Sequence, residues 1–266
     1  MERSDFRLTV LGARGSMATG GADFHEFGGS TSCYMVQAGK ETIFLDAGSG
    51  LLSAPSAFPA PPVILLSHLH LDHLIGLGMF PVLSRKGERA SLYVPFCKDG
   101  QEAAVLLDRV FSPPFWPLKL CELEATLQIC SLPEHLQIGE VRVEAIPGRH
   151  PDGCMVIKLC CRGRSLVYAT DYEHEQSHDE VLASFAKDTD LLLYDAQFSS
   201  EAYPRKKGFG HSTAEKGLEL MQRADARRLL LIHHDPHSTD LILRQREAEL
   251  GTDRASYARE GQVIDL

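Results

Sequence analysis

Apolar residues along this chain gather into short runs separated by Gly, Pro and polar residues. Positions 6–11, 33–37, 42–45 and 63–66 are strand-length and rich in Val, Ile, Leu and Phe, which predicts strands. A second set follows at 141–146, 155–159, 166–169, 191–194 and 229–232. Several of these runs are apolar at nearly every position, as expected of strands buried on both faces. Helical spacing is visible at Leu74, Leu77, Met79/Phe80 and Leu83, with Pro81 placed to break or kink that helix. Further helices are predicted at 179–186 and at 213–224, the latter capped by Ser212 or Thr213 with Glu215 soon after. Such an order fits an α/β protein in which two packed sheets carry helices on their outer sides. Periodicity alone does not separate that arrangement from a doubly wound sheet. The stretch 101–132, with Ser112-Pro113-Pro114-Phe115-Trp116-Pro117 inside it, reads as a lid-like excursion from one domain spanning 1–266.

Composition narrows the class. With 266 residues, 44% of them apolar and 24% charged, the chain can bury a large core without disulfides. Its seven cysteines form an odd set with no Cys-x-x-Cys pair, so they are expected as free thiols in a cytoplasmic protein. No apolar run approaches the roughly 20 residues of a spanning helix. The first five residues are charged and carry no apolar leader core. A net charge of −9 argues against a broad surface that tracks nucleic-acid phosphates, though not against a small anionic substrate.

The chemistry is concentrated at Ser67-His68-Leu69-His70-Leu71-Asp72-His73, directly after a buried strand. In an extended segment His68 and His70 share one side, and a turn at Leu71 brings Asp72 and His73 back toward it. Three imidazoles and one carboxylate within six residues suit zinc, manganese or iron.

This run resembles the His-x-His-x-Asp-His signature of the metallo-β-lactamase superfamily, and the other motifs of that family follow in order. Asp46 in Phe44-Leu45-Asp46-Ala47-Gly48 resembles its first, ligand-orienting aspartate. His150, Asp171 and His233 resemble its later metal positions. The resemblance implies a four-layered αββα sandwich and two divalent metal ions, zinc foremost. His68, His70, His150 and Asp171 would hold one, and Asp72, His73, Asp171 and His233 the other. A carboxylate bridging cations about 3.5–4 Å apart leaves room for a water whose pKa falls toward roughly 7, with Asp72 orienting it or taking its proton. His234 competes with its neighbour His233 for the last ligand position, and His233 is preferred because the family's ligand comes two residues after the last strongly apolar strand triplet.

Substrate class is carried by Gly208-Phe209-Gly210-His211-Ser212-Thr213, which resembles a segment of the phosphodiesterase branch of that superfamily, including ribonuclease Z and phosphoribosyl cyclic phosphodiesterases. The resemblance makes His211 the acid that protonates a leaving alkoxide, supported by Asp195. Arg14, Ser30 and Thr31, in Gly-rich loops, are expected as substrate contacts. Arg205, Lys206 and Lys207, just before His211, would steer phosphate or form a solvated loop. Only 20 residues separate His150 from Asp171, too few for the long arm with which ribonuclease Z grips tRNA. The expected partner is therefore a small or cyclic phosphate ester, with extended nucleic acid and the ribonuclease reading second. No membrane contact is expected, and the aromatic, Pro-rich segment 111–118 is a lid or a homodimer contact.

Overall fold

The computed structural model describes residues 6–266; the first five, expected to carry no leader, lie outside the described residues. In chain order the elements are β1 (Phe6–Gly12), β2 (Cys33–Ala38), β3 (Glu41–Leu45), β4 (Val63–Leu65), β5 (Arg89–Val94), α1 (Gly100–Asp108), β6 (Thr126–Ser131), β7 (His135–Ile138), β8 (Val141–Gly148) and β9 (Cys154–Cys161). There follow β10 (Arg164–Ala169), α2 (Gln176–Phe185), β11 (Leu191–Asp195), α3 (Ala214–Arg223), β12 (Leu229–Ile232), α4 (Asp240–Ala248), β13 (Ala255–Tyr257) and β14 (Val263–Asp265).

Strand alternation decides which side chains meet. Leu8, Val10, Tyr34, Val36, Ile43 and Leu65 point from one sheet toward Ile157, Leu159, Tyr168, Leu193, Leu230 and Ile232 of the other, forming the central core. On the outer side of this sheet Met35, Phe44, Ile64 and Leu92 belong to a second cluster, which also holds Leu51, Leu77 and Phe80 from the loops and Ala103 and Leu107 from α1. On the far side Val167, Leu192, Tyr194 and Leu231 lie under Leu182, Met221 and Leu243 of α2, α3 and α4. The result is the expected four-layered αββα sandwich, with strands apolar on both faces because both faces are covered.

The sheets are ordered β14-β1-β2-β3-β4-β5-β6 and β13-β12-β11-β10-β9-β8-β7. Each has an antiparallel half and a parallel half: β3 to β6 run parallel in the first, β10 to β13 in the second. Thr213 caps α3 by accepting from Lys216 N, which settles the choice between Ser212 and Thr213.

Two expectations meet a different structure. After His70 the chain makes two short 3-10 turns, Leu71–His73 and Ile75–Met79, in place of a continuous helix. Gly76 packs so closely on Gly48 that an added Cβ would overlap its carbonyl oxygen, and Pro81 ends the pattern. The stretch 101–132 contains most of α1 and the edge strand β6. Between them Phe111 is buried and meets the Trp116 ring edge-on at 5.6 Å. The indole in turn lies against Gly78, in the turn after the histidine run.

Candidate metal centre

The histidines and aspartates of the site sit where strands end. Asp46 follows β3, Ser67 and His68 follow β4 closely, His150 follows β8, Asp171 follows β10, Asp195 closes β11 and His233 follows β12. Asp46, Asp171 and His233 all leave their strands with positive φ, at 61°, 47° and 60°. Side chains pay strain for that conformation, and it persists where surrounding contacts enforce it.

Outer partners fix the hydrogen positions on the rings. Asp46 is fully buried and accepts from Ser67 N at 2.6 Å and from Ser67 Oγ, His73 Nδ1 and Tyr168 OH at 2.7 Å each. Since the Ser67 hydroxyl donates to Asp46, His68 Nδ1 must donate to Ser67 Oγ across 3.0 Å. That leaves His68 Nε2 as a lone pair, and it is buried with no hydrogen-bond partner. His150 Nδ1 donates to the Gly210 carbonyl at 2.9 Å, and His233 Nδ1 to Gln197 Oε1 at 2.9 Å. Their Nε2 atoms therefore also face inward as lone pairs, as metal-binding imidazoles do when their other nitrogen is occupied.

What they face is more acceptors. His73 Nε2 lies 3.1 Å from both Asp72 Oδ2 and Asp171 Oδ1, and 3.3 Å from His233 Nε2. His233 Nε2 is 3.1 Å from Asp171 Oδ1 and 3.2 Å from Asp72 Oδ2. His150 Nε2 meets His70 Nδ1 at 3.1 Å, while Asp171 Oδ2 stands 3.6 Å from both His68 Nε2 and His150 Nε2. Lone pairs so arranged need cations between them. Donor atoms of His68, His70, His150 and Asp171 lie within 4.8 Å of one another, as do those of Asp72, His73, Asp171 and His233. Asp171 belongs to both groups, so the residues fit two divalent ions sharing one carboxylate.

The electrostatics agree. Burial opposes charge on His73, but Asp171, Asp72 and Asp46 outweigh it and hold its pKa well above the usual histidine value. Burial likewise opposes ionised Asp171, yet His233, His73 and His68 keep its carboxyl well below the ordinary range. A proton on His73 thus does in part what a metal ion would do. Burial holds His68 neutral, with the charge of His73 adding to the effect.

His211 sits beside this cluster. Its Nδ1 is 2.8 Å from Asp195 Oδ2 and 3.9 Å from Asp171 Oδ2. Burial disfavours its charged form, but Asp195 prevails and the pKa is pushed up to about 9. Asp195 is itself held by Gln197 N and Ser212 N through its other oxygen. Phe198 packs edge-on against the His211 ring at 5.6 Å.

Other expected residues are placed differently. His234 points away from the cluster: its Nε2 lies 2.8 Å from the Ala258 carbonyl, and burial pushes its pKa down to about 3. Arg14 is fully buried and donates to the carbonyls of Gly28, Asp235 and Ser238, so it joins loops and is not presented to a substrate. Thr31 is buried and exchanges hydrogen bonds with Ser49, while Ser30 N is held by Glu260. Sequence reasoning missed Ser67, Tyr168 and Gln197, which orient ligands, and Ser16, whose N–H reaches Asp72 Oδ2 at 2.7 Å. It also missed Glu173, which accepts from Gly208 N at 2.6 Å and Gly210 N at 3.1 Å and so anchors the loop before His211. Of these only Ser67 carried a signal, its place directly before the histidine run.

Known proteins resemble this chain in sequence and fold. The probable metallo-hydrolase YhfI of Bacillus subtilis (strain 168) is 23% identical over 261 residues, covering 97% of this chain and 98% of that protein. A ribonuclease Z of Archaeoglobus fulgidus is 24% identical over 276 residues, covering 86% of this chain and 87% of its own. A solved diphosphatase from the PhnP family superposes with a TM-score of 0.71 at 19% identity, covering 98% of each chain. Among the described residues, no helix is long and apolar enough to cross a membrane. Residues 41–234 match the beta-lactamase superfamily domain, a span running from β3 past the last inward-facing histidine. Fold, ligand order and this match agree: the chain belongs to the metallo-β-lactamase superfamily.

Proposed function

We propose that the protein is a dinuclear metal-dependent phosphodiesterase acting on small or cyclic phosphate esters. The carrying observation is the His211–Asp195 pair, 2.8 Å apart beside the shared ligand Asp171. An alkoxide leaves a phosphodiester only with a proton, and a histidine whose pKa is raised to about 9 still carries one at neutral pH. Thioester and lactam hydrolysis make weaker demands on such an acid.

His68, His70, His150 and Asp171 would hold one ion, and Asp72, His73, Asp171 and His233 the other. Zinc is the first assignment, with manganese and iron compatible with the same imidazole and carboxylate donors. Cations held there would supply Lewis-acid charge for a phosphoryl oxygen and would lower the pKa of a water toward roughly 7. Asp72, held by Ser16 N, orients the nucleophile and accepts its proton. His211, kept in one tautomer by Asp195, donates Nε2–H to the departing oxygen.

A small substrate is supported by the net charge of −9 and by the short path from His150 to Asp171, which holds β9, β10 and no projecting arm. The second reading, a nuclease, is favoured by the relative named ribonuclease Z. One panel separates them: bis-nitrophenyl phosphate, cyclic nucleotides, ribose cyclic phosphates and short RNA, each with zinc, manganese and iron. Turnover of the small esters is expected. Efficient RNA cleavage with inert cyclic esters would overturn the small-substrate reading.

A further inference from the structure

Ser16 is exposed at the edge of the metal-binding cluster, in a conformation that serine resists. Met17 N donates to the Gly15 carbonyl at 2.6 Å and closes a three-residue turn on Ser16, whose φ is 61°. Positive φ at the centre makes this the rarer, strained form of such a turn, which persists where surrounding contacts enforce it. Those contacts come from the cluster and the strand end beside it. Gly15 N donates to the His234 carbonyl at 2.9 Å, and an added Cβ on Gly15 would overlap the His233 ring. Ser16 N itself donates to Asp72 Oδ2 at 2.7 Å. The turn is thus clamped between Asp72 and His233, two members of one metal-binding group.

The side chain is directed as closely as the backbone. His233 Nδ1 donates to Gln197 Oε1, so the amide presents its Nε2 end to Ser16 Oγ, 3.2 Å away. Gln197 is held in turn by its own N–H, which donates to Asp195 Oδ1 at 3.0 Å. Ser16 Oγ therefore accepts, and its own proton is left for another partner. Among the described residues none accepts it. Glycine would adopt this φ freely; serine adds strain and, with it, one free hydroxyl proton beside Asp72.

We propose that Ser16 is a catalytic residue whose hydroxyl donates to a non-bridging oxygen of the scissile phosphoryl group, with Gln197 the positioning residue that keeps this proton free. This rests on the phosphodiesterase reading, which places the phosphoryl group beside Asp72 and Asp171. A donor aimed in advance at that oxygen stabilises the negative charge it carries during displacement.

The test uses methyl 4-nitrophenyl phosphate and the two enantiomers of methyl 4-nitrophenyl phosphorothioate, in which sulfur, a poor acceptor, replaces one or the other non-bridging oxygen. Nitrophenolate departs without help from His211, which isolates the phosphoryl contact. Ser16→Gly removes the hydroxyl and keeps the turn. In the metal-loaded protein it should lower kcat/KM for the oxygen ester about tenfold, the scale of one hydrogen bond to a charged group. The same loss is expected for one phosphorothioate enantiomer and almost none for the other. Calorimetric affinity for inorganic phosphate should fall by a similar factor, with metal content unchanged. Gln197→Glu, whose carboxylate would accept from both His233 Nδ1 and the Ser16 hydroxyl, should reproduce the loss and add little to Ser16→Gly. A wild-type rate or a wild-type phosphate affinity in Ser16→Gly overturns the assignment. So does an equal loss on all three esters, or a loss of metal, which would mean that the turn only seats Asp72. Each of these leaves the phosphodiesterase reading standing. A wild type inert toward the oxygen ester while active on non-phosphate esters overturns that reading and the role of Ser16 with it.

Discussion

A histidine hydrogen-bonded to a buried carboxylate gains a proton more readily than a free one, and His211 beside Asp195 is such a case, with a pKa near 9. The sign follows. Below about 6.5 the pair contributes its full stabilisation, and that contribution is lost as pH rises through about 9. Catalysis should follow the same proton, so kcat on an alkyl phosphodiester is expected to fall on the alkaline side. Cations beside Asp171 and Asp72 withdraw part of the attraction that raises this pKa, which puts the limb at or below 9. A flat profile from pH 7 to 10 would remove His211 from the acid role. At this scale the sequence was legible where residue type alone dictates chemistry, as at His68, His70, Asp72 and His73. It misled at Arg14, because an arginine in a Gly-rich loop serves main-chain carbonyls as readily as phosphate, and the two uses have the same local sequence. In the structure His233, at positive φ as the strand ends, faces Asp72 and Asp171, whereas His234 faces the Ala258 carbonyl.

Elements supply positions that no single residue can. Glu173 and Gly210 act together: one fixes the loop, the other lets it lie on His150. Glu173→Gln removes charge from the carboxyl end that two glycine N–H groups meet, and should lower kcat roughly tenfold through His211 placement, with metal content by elemental analysis unchanged. Loss of metal in that variant would show that the loop instead holds His150 in its ligand pose. Within the central core, Leu193 of β11 is fully buried, so Leu193→Ala should destabilise by about 2–5 kcal/mol in urea unfolding. Less than 1 kcal/mol would mean the sheets pack less tightly than described. The long buried strands were legible from their apolar runs. Short β13, β14 and the turns Leu71–His73 and Ile75–Met79 were not, since three- to five-residue pieces are set by tertiary contacts more than by local pattern.

For the molecule as a whole, the seven side chains that could hold metal ions come from strand ends and the turns after them, as far apart in sequence as His68 and His233. Gln197, Tyr168 and Glu173 support the site through partners 36, 122 and 35 residues away in sequence, which is why sequence proximity gave no hint of their roles. The two-sheet sandwich, by contrast, was suggested by two successive sets of apolar runs and made specific by the family resemblance. Because a folded site binds metal and an unfolded chain largely does not, chelation should lower Tm by about 10 °C, on the scale of several kcal/mol of linked binding. An unchanged Tm would contradict a stably bound pair of ions. Asp171→Ala should release metal from both positions, and full retention would refute its sharing.

The central claim is that His211 protonates an alkoxide leaving group at a two-metal site. It is tested most directly by comparing wild type and His211→Ala, both metal-loaded, across aryl and alkyl phosphodiesters of graded leaving-group acidity. The expected result is a loss of about 10²–10⁴-fold in kcat for poor leaving groups, shrinking toward unity for nitrophenolate, with metal content unchanged. An equal loss across the series would contradict it.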